Sequence, residues 1–274
     1  GLKVIHYTKS GKEINDKVNY VISSHNEIKD IVSEIKLNCF TIARTNRIQL
    51  IHIEDSLKLS LIQKERIDKI WNAGLEKRSL FNGKIVCYKS HVKKVNTLTI
   101  TCFTTEYKYF YAQLKDSSLN LNIIPISVSG IIIDNENNTL LGTRINVTEY
   151  ENHLEFIPSG GINASKIKDG IVLFKEQLVE EFCEETGLFS TDISRIEPFC
   201  FVFDQEHQVY DICAKISLNE SLNQLLKENI NTEFKDISIV NIENDSLAID
   251  NSNWVPTSWT MLTNLKKNSI NQIN

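Results

Sequence analysis

The sequence predicts a mixed α/β protein in two parts that meet near residue 120, and three observations support this prediction. From residue 121 onwards, apolar and β-branched runs alternate with turn residues in the order strand, strand, loop, helix, strand, strand. Within this part, the segment 171–186 has apolar residues at helical spacing and stops at Gly187, a residue typical of helix ends. The composition, 41% hydrophobic and 24% charged over 274 residues, is that of a folded globular chain.

The first part, residues 1–120, is predicted to be an N-terminal α/β region whose role the sequence does not indicate. Segment 25–37 has apolar residues at i, i+3, i+4 and i+7, and segment 60–77 has a similar helical pattern with Leu61, Ile67, Ile70 and Trp71, which predicts two helices. Segments 83–91 and 96–114 are rich in β-branched and aromatic residues, which predicts two strands joined by a basic turn.

The second part, residues 121–274, is predicted to be a separate domain. Its expected strands are 126–133, 139–145, a short one at 153–157, 198–204, 208–218 and 233–242. The "PSGG" loop, residues 158–161, follows the third strand, and Asp169-Gly170 is expected to precede the helix 171–186. A further short helix is expected within 221–229.

Several classes of function and location are disfavoured by the bulk properties of the chain. The net charge of −5 gives no general attraction to nucleic acid or to anionic membranes. No apolar run approaches 18 residues, and the first residues lack the apolar centre of a signal peptide. Six cysteines without a C-x-x-C pair suit buried thiols in a reducing compartment. We therefore expect a cytoplasmic protein with no membrane and no nucleic-acid partner.

The stretch "EEFCEETGL", residues 180–188, places four glutamates within six positions. On a helix, Glu181, Glu184 and Glu185 lie at i, i+3 and i+4, so their carboxylates crowd and repel one another. A hard divalent cation such as Mg²⁺ or Mn²⁺ relieves this repulsion, because such ions prefer oxygen ligands. The alternative interpretation is an acidic helix face that only contacts solvent.

These residues resemble the Nudix hydrolase signature, G-x5-E-x7-R-E-U-x-E-E-x-G-U, in which U is a bulky apolar residue. The second half matches at every defined position but one, and "LEFIPSGG" is similar to the strand and glycines that precede the signature in the family. The arginine position holds Glu180, and Val172 stands where the first glutamate belongs; in the family these two missing residues are thought to pair structurally. The loop from Gly161 to the helix is also longer than the signature allows. The resemblance covers roughly residues 123–262.

The resemblance implies a Nudix-type α/β/α sandwich and a metal-dependent pyrophosphatase. It implies that Glu181, Glu184 and Glu185 bind one to three Mg²⁺ or Mn²⁺ ions together with the carbonyl of Gly161, and that Gly160 and Gly161 approach the ligand. The general base often lies outside the signature in this family, and Glu233 is the first candidate, although it is equally well read as a surface acid. His207 is a weaker candidate. Glu155 stands where ADP-ribose and nucleotide-sugar pyrophosphatases have a glutamate, which implies either a metal or substrate role or a simple acid at a strand end.

The implied substrate is a nucleoside diphosphate linked to a group X, with a nucleotide sugar or ADP-ribose as the favoured class. The N-terminal region favours a homodimer or a larger substrate. The competing hypothesis is a non-catalytic Nudix-like domain that binds a nucleotide and acts as a regulator or scaffold, and the missing Glu/Arg pair is the feature that supports it.

Overall fold

Two five-stranded sheets, each built from strands on both sides of residue 120, form the centre of the fold. The computed structural model describes residues 3–5, 20–22, 38–77, 79–145, 147, 149–226, 234–243 and 253–271. The mixed α/β fold class is confirmed by the sheets and helices of these residues. At the N-terminus, β1 (Lys3–Ile5) pairs antiparallel with β2 (Tyr20–Ile22).

The first of the two central sheets is mixed and supports the candidate site. Its strands are β3 (Cys39–Arg44), β7 (Ile126–Ile133), β10 (Ser159–Gly161), β13 (Ile193–Asp204) and β14 (Val209–Leu218). Their order is β10-β7-β14-β13-β3, with β14 parallel to β7 and the other pairs antiparallel. Strand β7 is buried on both faces, which explains its continuous apolar run.

The second central sheet contains β4 (Ile48–His52), β5 (Lys84–Lys94), β6 (Thr97–Glu106), β11 (Ile167–Lys168) and β12 (Ile171–Val172), in the order β11-β12-β4-β6-β5. A third sheet has three strands, β8 (Asn138–Arg144), β9 (Leu154–Phe156) and β15 (Phe234–Asn241), in the order β15-β8-β9. Strand β12 pairs with β4, so the segment between β10 and helix 174–186, residues 162–173, is tied to the region before residue 120; this segment is called the glycine-bearing loop.

Five α-helices lie among the described residues: α1 (Leu61–Leu75), α2 (Tyr107–Lys115), α3 (Phe174–Thr186), α4 (Leu222–Leu225) and α5 (Pro256–Asn271). Helix α1 begins where predicted, because Ser60 and Gln63 form a reciprocal capping box. Helix α3 buries Phe174, Leu178 and Phe182 in the core that it shares with the mixed sheet, and it ends at Gly187 with φ 70°.

Two predicted elements were wrong in part. The predicted strand 96–114 ends at Glu106 and continues as α2, in which Tyr107, Phe110 and Tyr111 are spaced for one helix face rather than for alternation. The predicted helix 171–186 begins only at Phe174. Asp169 and Gly170, both with positive φ, form the two-residue turn of the β11–β12 hairpin instead of leading into the helix.

Helix α5 was not predicted, although Pro256 at its first position is a typical helix start. Its Trp259, Met261 and Leu262 pack in a buried cluster with Phe199 and Cys200 of β13. The predicted helix 25–37 lies outside the described residues. So do residues 227–229 of the predicted helix 221–229, whose first turn is α4.

The division of the chain at residue 120 stays a prediction, but the sheets cross it. Strand β3 pairs along β13 from Cys39–Asp204 to Arg44–Cys200, and β4 meets β12 at Ile51–Ile171. None of the six cysteines, all of which are described, forms a disulfide bond, and five of them are buried. Among the described helices, none has the length and apolar content needed to cross a membrane.

Candidate active site

A cavity of about 490 Å³ opens between the mixed sheet, the three-stranded sheet and helix α3. Its wall includes Glu181 and Glu185 of α3, the β10 strand Ser159–Gly161, and Arg144 at the end of β8. The region before residue 120 also contributes, through Ile85, Tyr107 and Phe110. The N-terminal region therefore shapes this cavity, which the sequence could not show.

Helix α3 separates the three glutamates that the sequence grouped together. Glu181 and Glu185, one turn apart, line the cavity, and Glu185 is only 4% exposed. Glu184 is exposed to solvent and is not among the lining residues. The reason is the helix geometry, since successive residues are rotated by about 100° and Glu184 diverges from Glu185 by that angle. Glu180 is exposed as well and pairs with Lys166 of the glycine-bearing loop.

The two glycines of β10 are packed differently. A Cβ atom at Gly160 would lie 2.2 Å from the Cδ and Oε1 atoms of Glu181, so this carboxylate rests directly on the backbone of Gly160. A Cβ atom at Gly161 would meet nothing within 4 Å, so the backbone there faces open space. The backbone N–H of Ser159 donates to Glu185 Oε2 over 3.1 Å. Strand β10 and α3 thus hold both cavity-lining glutamates at one end of the cavity.

Glu155 is part of the cavity wall and pairs with an arginine. Arg144 Nη1 lies 2.5 Å from Glu155 Oε2, and Ser159 Oγ donates to Glu155 Oε1 over 2.9 Å. Burial acts to lower the pKa of Arg144, but the charge of Glu155 raises it above the usual value, so the guanidinium stays ionised. Its Nε atom is buried and has no hydrogen-bond partner among the described residues. A buried donor without a partner suits an anionic ligand.

Sequence reasoning missed three further acids in the wall, Glu149, Asp204 and Asp211. Asp211 lies on β14 and accepts hydrogen bonds from Ser129 Oγ (3.0 Å) and Thr257 Oγ1 (2.9 Å). Burial raises the pKa of Asp211 to about 6, against which the two hydroxyl donors act. Glu149 comes from a loop more than fifty residues before Asp204 and Asp211, which lie on the consecutive strands β13 and β14, so no spacing motif pointed to the three together.

His207, the weaker candidate base, lies beside the cavity wall rather than in it. Its Nδ1 atom is 3.3 Å from Asp204 Oδ2, which also accepts from the hydroxyl of Tyr150 over 2.8 Å. Burial acts to lower the pKa of His207, but the hydrogen bond to Asp204 and the charge of Glu149 raise it overall. The arrangement links the loop that carries Tyr150 to the turn between β13 and β14. Glu233, the first candidate base, lies outside the described residues.

The composition of the wall is strongly acidic. Six carboxyl groups line the cavity, and Arg144 is the one cationic side chain among the described lining residues; the six acids are Glu149, Glu155, Glu181, Glu185, Asp204 and Asp211. Within the described part of the chain, no three His, Cys, Asp or Glu side chains are already arranged as a metal-ion ligand set. The donors present are nevertheless carboxylate and carbonyl oxygens beside open space at Gly161, which fits a hard divalent cation.

No protein-family model matches the sequence, and no curated protein sequence matches it. Solved structures do. One is a bifunctional NMN adenylyltransferase/ADP-ribose pyrophosphatase from Francisella tularensis, complexed with AMP and a Mn ion (14% identity, TM-score 0.43). That similarity covers 59% of this chain and 47% of the other, less than half of the other chain's length.

Two smaller proteins are similar over most of their own length. The MutT protein from Methanosarcina mazei Go1 has 19% identity and a TM-score of 0.37, over 53% of this chain and 95% of the other. The Nudix domain of Shewanella oneidensis NrtR, complexed with ADP-ribose, has 12% identity and a TM-score of 0.41, over 53% and 88%. The solved structures to which this chain is similar thus include Nudix proteins, at identities below 20% and TM-scores below 0.5.

Proposed function

We propose that this protein hydrolyses the diphosphate bond of a nucleoside diphosphate linked to a group X, with Mg²⁺ or Mn²⁺ as cofactor. The main support is one arrangement in the cavity. Glu181 and Glu185 of α3 face the cavity beside Gly160 and Gly161, and Arg144 lies in the same wall. Acidic ligands for a cation and a partly buried guanidinium for an anion are the two features that binding of a metal–diphosphate pair requires.

In this proposal Glu181 and Glu185 hold the cation from the cavity wall, and the Gly161 carbonyl is a further ligand. A role for Glu184 stays a prediction, since its exposed side chain lies outside that wall. When bound, such an ion neutralises the diphosphate oxygens and favours attack of water on phosphorus. Arg144 binds and orients the diphosphate, with Glu155 fixing its guanidinium. Gly160 gives the Glu181 carboxylate room to lie against β10, since any side chain there would displace it.

A proton acceptor for the attacking water is available in the described wall. Asp211 has a pKa of about 6, and burial raises the pKa of Glu149 as well. Carboxyl groups with raised pKa values suit proton transfer near neutral pH. Glu233 stays a prediction for the same role.

The remaining acids suggest the nature of group X. Glu149, Asp204 and Asp211 offer hydrogen-bond acceptors and would repel further phosphates. A neutral group with many hydroxyl donors, such as a sugar or ribose, fits this wall better than a third phosphate does. We therefore favour a nucleotide sugar or ADP-ribose over a nucleoside triphosphate. Formation of a homodimer stays a prediction.

A second candidate function is nucleotide binding without catalysis, in a regulatory or scaffold domain. The observation that favours it is the exposed position of Glu184 outside the cavity wall, which leaves two of the three expected ligand glutamates in place. Under this hypothesis a nucleotide binds the cavity and its diphosphate bond is not cleaved.

The test is diphosphate cleavage across a substrate panel, each compound with Mg²⁺, Mn²⁺ or EDTA. The panel contains ADP-ribose, UDP- and GDP-sugars, dinucleoside polyphosphates and nucleoside triphosphates. We expect metal-dependent cleavage of a sugar- or ribose-linked diphosphate, and a loss of at least about 100-fold in Glu181→Gln and Glu185→Gln. Glu176→Gln is the matched control, because Glu176 is an exposed acid of the same helix that pairs with Lys168.

The outcomes separate the two candidates. Cleavage that is insensitive to EDTA, or that survives both Gln substitutions, would rule out the proposed roles of Glu181 and Glu185. A protein that cleaves nothing but binds ADP-ribose by calorimetry would support the non-catalytic domain.

A further inference from the structure

Gln177 of α3 is a buried polar residue between the glycine-bearing loop and Glu181. Its side chain is 5% exposed, it lies one helical turn before Glu181, and it is not among the residues that line the cavity. Its Oε1 atom accepts from the backbone N–H of Asn163 over 3.1 Å. Its Nε2 atom donates to Glu181 Oε1 over 2.8 Å.

The orientation of this amide is fixed by the chemistry of its two partners. A backbone N–H can only donate, so it must face the carbonyl oxygen of Gln177. An ionised carboxylate can only accept, so Glu181 must face the NH₂ group. A flipped amide would leave both contacts without a hydrogen bond inside a buried region, where unsatisfied polar groups are destabilising.

Asn163 is itself held in place by the N-terminal region. It forms an isolated β-bridge with Ile85 of β5, and the neighbouring Ile162 carbonyl accepts from Val86 N over 2.9 Å. Gln177 therefore connects the Glu181 carboxylate, through Asn163, to strand β5 of the second central sheet. On its other side the same carboxylate rests on Gly160, so it is confined from two directions.

We infer that Gln177 is a positioning residue for the metal site: it holds the Glu181 carboxylate at the cavity in the orientation that binds the cation. This inference rests on the proposed function. Hydrogen bonds to metal ligands fix ligand orientation, and their removal typically weakens metal affinity by about 10–100-fold.

The test is direct Mn²⁺ binding, followed by the electron paramagnetic resonance signal of unbound Mn²⁺, with no substrate present. In Gln177→Leu, which has a side chain of similar size without hydrogen-bonding groups, we expect Mn²⁺ affinity to fall about tenfold or more. Gln177→Asn, one methylene shorter, cannot span both partners and should show the same direction of change with less risk to folding. Glu180→Gln is the control, because Glu180 also joins α3 to the loop, through its ion pair with Lys166.

A double-mutant cycle with Glu181→Gln separates positioning from a general structural role. If Gln177 acts through Glu181, Gln177→Leu should not weaken Mn²⁺ binding further in the Glu181→Gln background. The inference about Gln177 would be overturned, with the proposed function intact, by either of two results. One is an equal loss of Mn²⁺ affinity on Gln177→Leu in the wild-type and Glu181→Gln backgrounds, and the other is wild-type Mn²⁺ affinity in both Gln177→Leu and Gln177→Asn. A wild-type protein that binds no Mn²⁺ would overturn the proposed function and this inference with it.

Discussion

Arg144 and Glu155 form an ion pair in the cavity wall, with 2.5 Å between Nη1 and Oε2. The Glu155 side chain is 5% exposed and that of Arg144 is 22% exposed, so neither group is well solvated. Ser159 adds a hydrogen bond to the second carboxylate oxygen. The pair connects the end of β8 to β9, and the Ser159 hydrogen bond extends the connection to β10, the strand that holds the glycines. The pair also keeps a guanidinium charged inside an acidic cavity.

Breaking this pair should destabilise the fold. We expect Glu155→Gln to lower the free energy of unfolding by about 3 kcal/mol, because it leaves the Arg144 charge buried without its counter-ion. Urea denaturation measures the change. The matched control is Glu176→Gln, which breaks an exposed pair with Lys168 at 3.5 Å and should cost less than about 1 kcal/mol. Equal effects of the two substitutions would show that the Arg144–Glu155 pair does not contribute as a buried pair.

The neighbouring glycines Gly160 and Gly161 offer a matched pair of alanine substitutions. In Gly160→Ala the added methyl group would lie 2.2 Å from the Glu181 carboxylate, which must move. In Gly161→Ala the methyl group meets open space, and neither glycine has a positive φ that alanine would resist. We expect Gly160→Ala to weaken Mn²⁺ binding about tenfold or more and Gly161→Ala to leave it within about twofold. Similar losses in both variants would show that the Glu181 contact is not the cause.

Local patterns in the sequence were sufficient to predict the elements whose bounds depend on neighbouring residues along the chain. Strand 126–133 was predicted with its observed bounds, because a continuous apolar run between turn residues has few alternatives. The end of α3 at Gly187 followed from the left-handed conformation that glycine adopts easily. The motif "EEFCEETGL" pointed to α3, and two of its glutamates do line the cavity.

Tertiary contacts decided what the sequence could not show. Ile171 looked like the first apolar residue of α3, but pairing with Ile51 of β4 makes it part of a strand. In the sequence, Asp211 is an ordinary polar residue of an alternating strand. Only the fold brings Ser129 and Thr257 next to it as hydrogen-bond donors. Gln177 became notable only because the loop brought Asn163 next to it. Each of these residues depends on a partner more than ten positions away along the chain.

The fragment 121–274 should not fold as the whole chain does. Removing residues 1–120 takes β3 away from β13 and β4 away from β12, and it uncovers an edge of the mixed sheet. We expect this fragment to aggregate or to give a broad thermal transition by circular dichroism, whereas the full chain should unfold in one cooperative step. A fragment with a sharp transition and native-like Mn²⁺ binding would instead support the predicted domain boundary at residue 120.

The buried carboxyl of Asp211 should make stability depend on pH. In the folded state burial raises its pKa to about 6, while in the unfolded chain it titrates near 3.8. Between these values the folded state holds a proton that the unfolded state has lost, so the free energy of unfolding falls as the pH rises through this range, by about 3 kcal/mol in total.

In Asp211→Asn this contribution disappears, because the amide does not ionise. Urea denaturation at pH 4, 5, 6 and 8 should therefore show the wild type losing stability relative to Asp211→Asn as the pH rises. In a second series extended below pH 4, Asp55→Asn provides the opposite sign, since the hydrogen bond from Lys89 lowers the pKa of exposed Asp55 and its contribution is lost as the pH falls below its unfolded value. Parallel stability curves for the wild type and Asp211→Asn would show that Asp211 titrates alike in the folded and unfolded states, and would remove it as an acceptor poised near neutral pH.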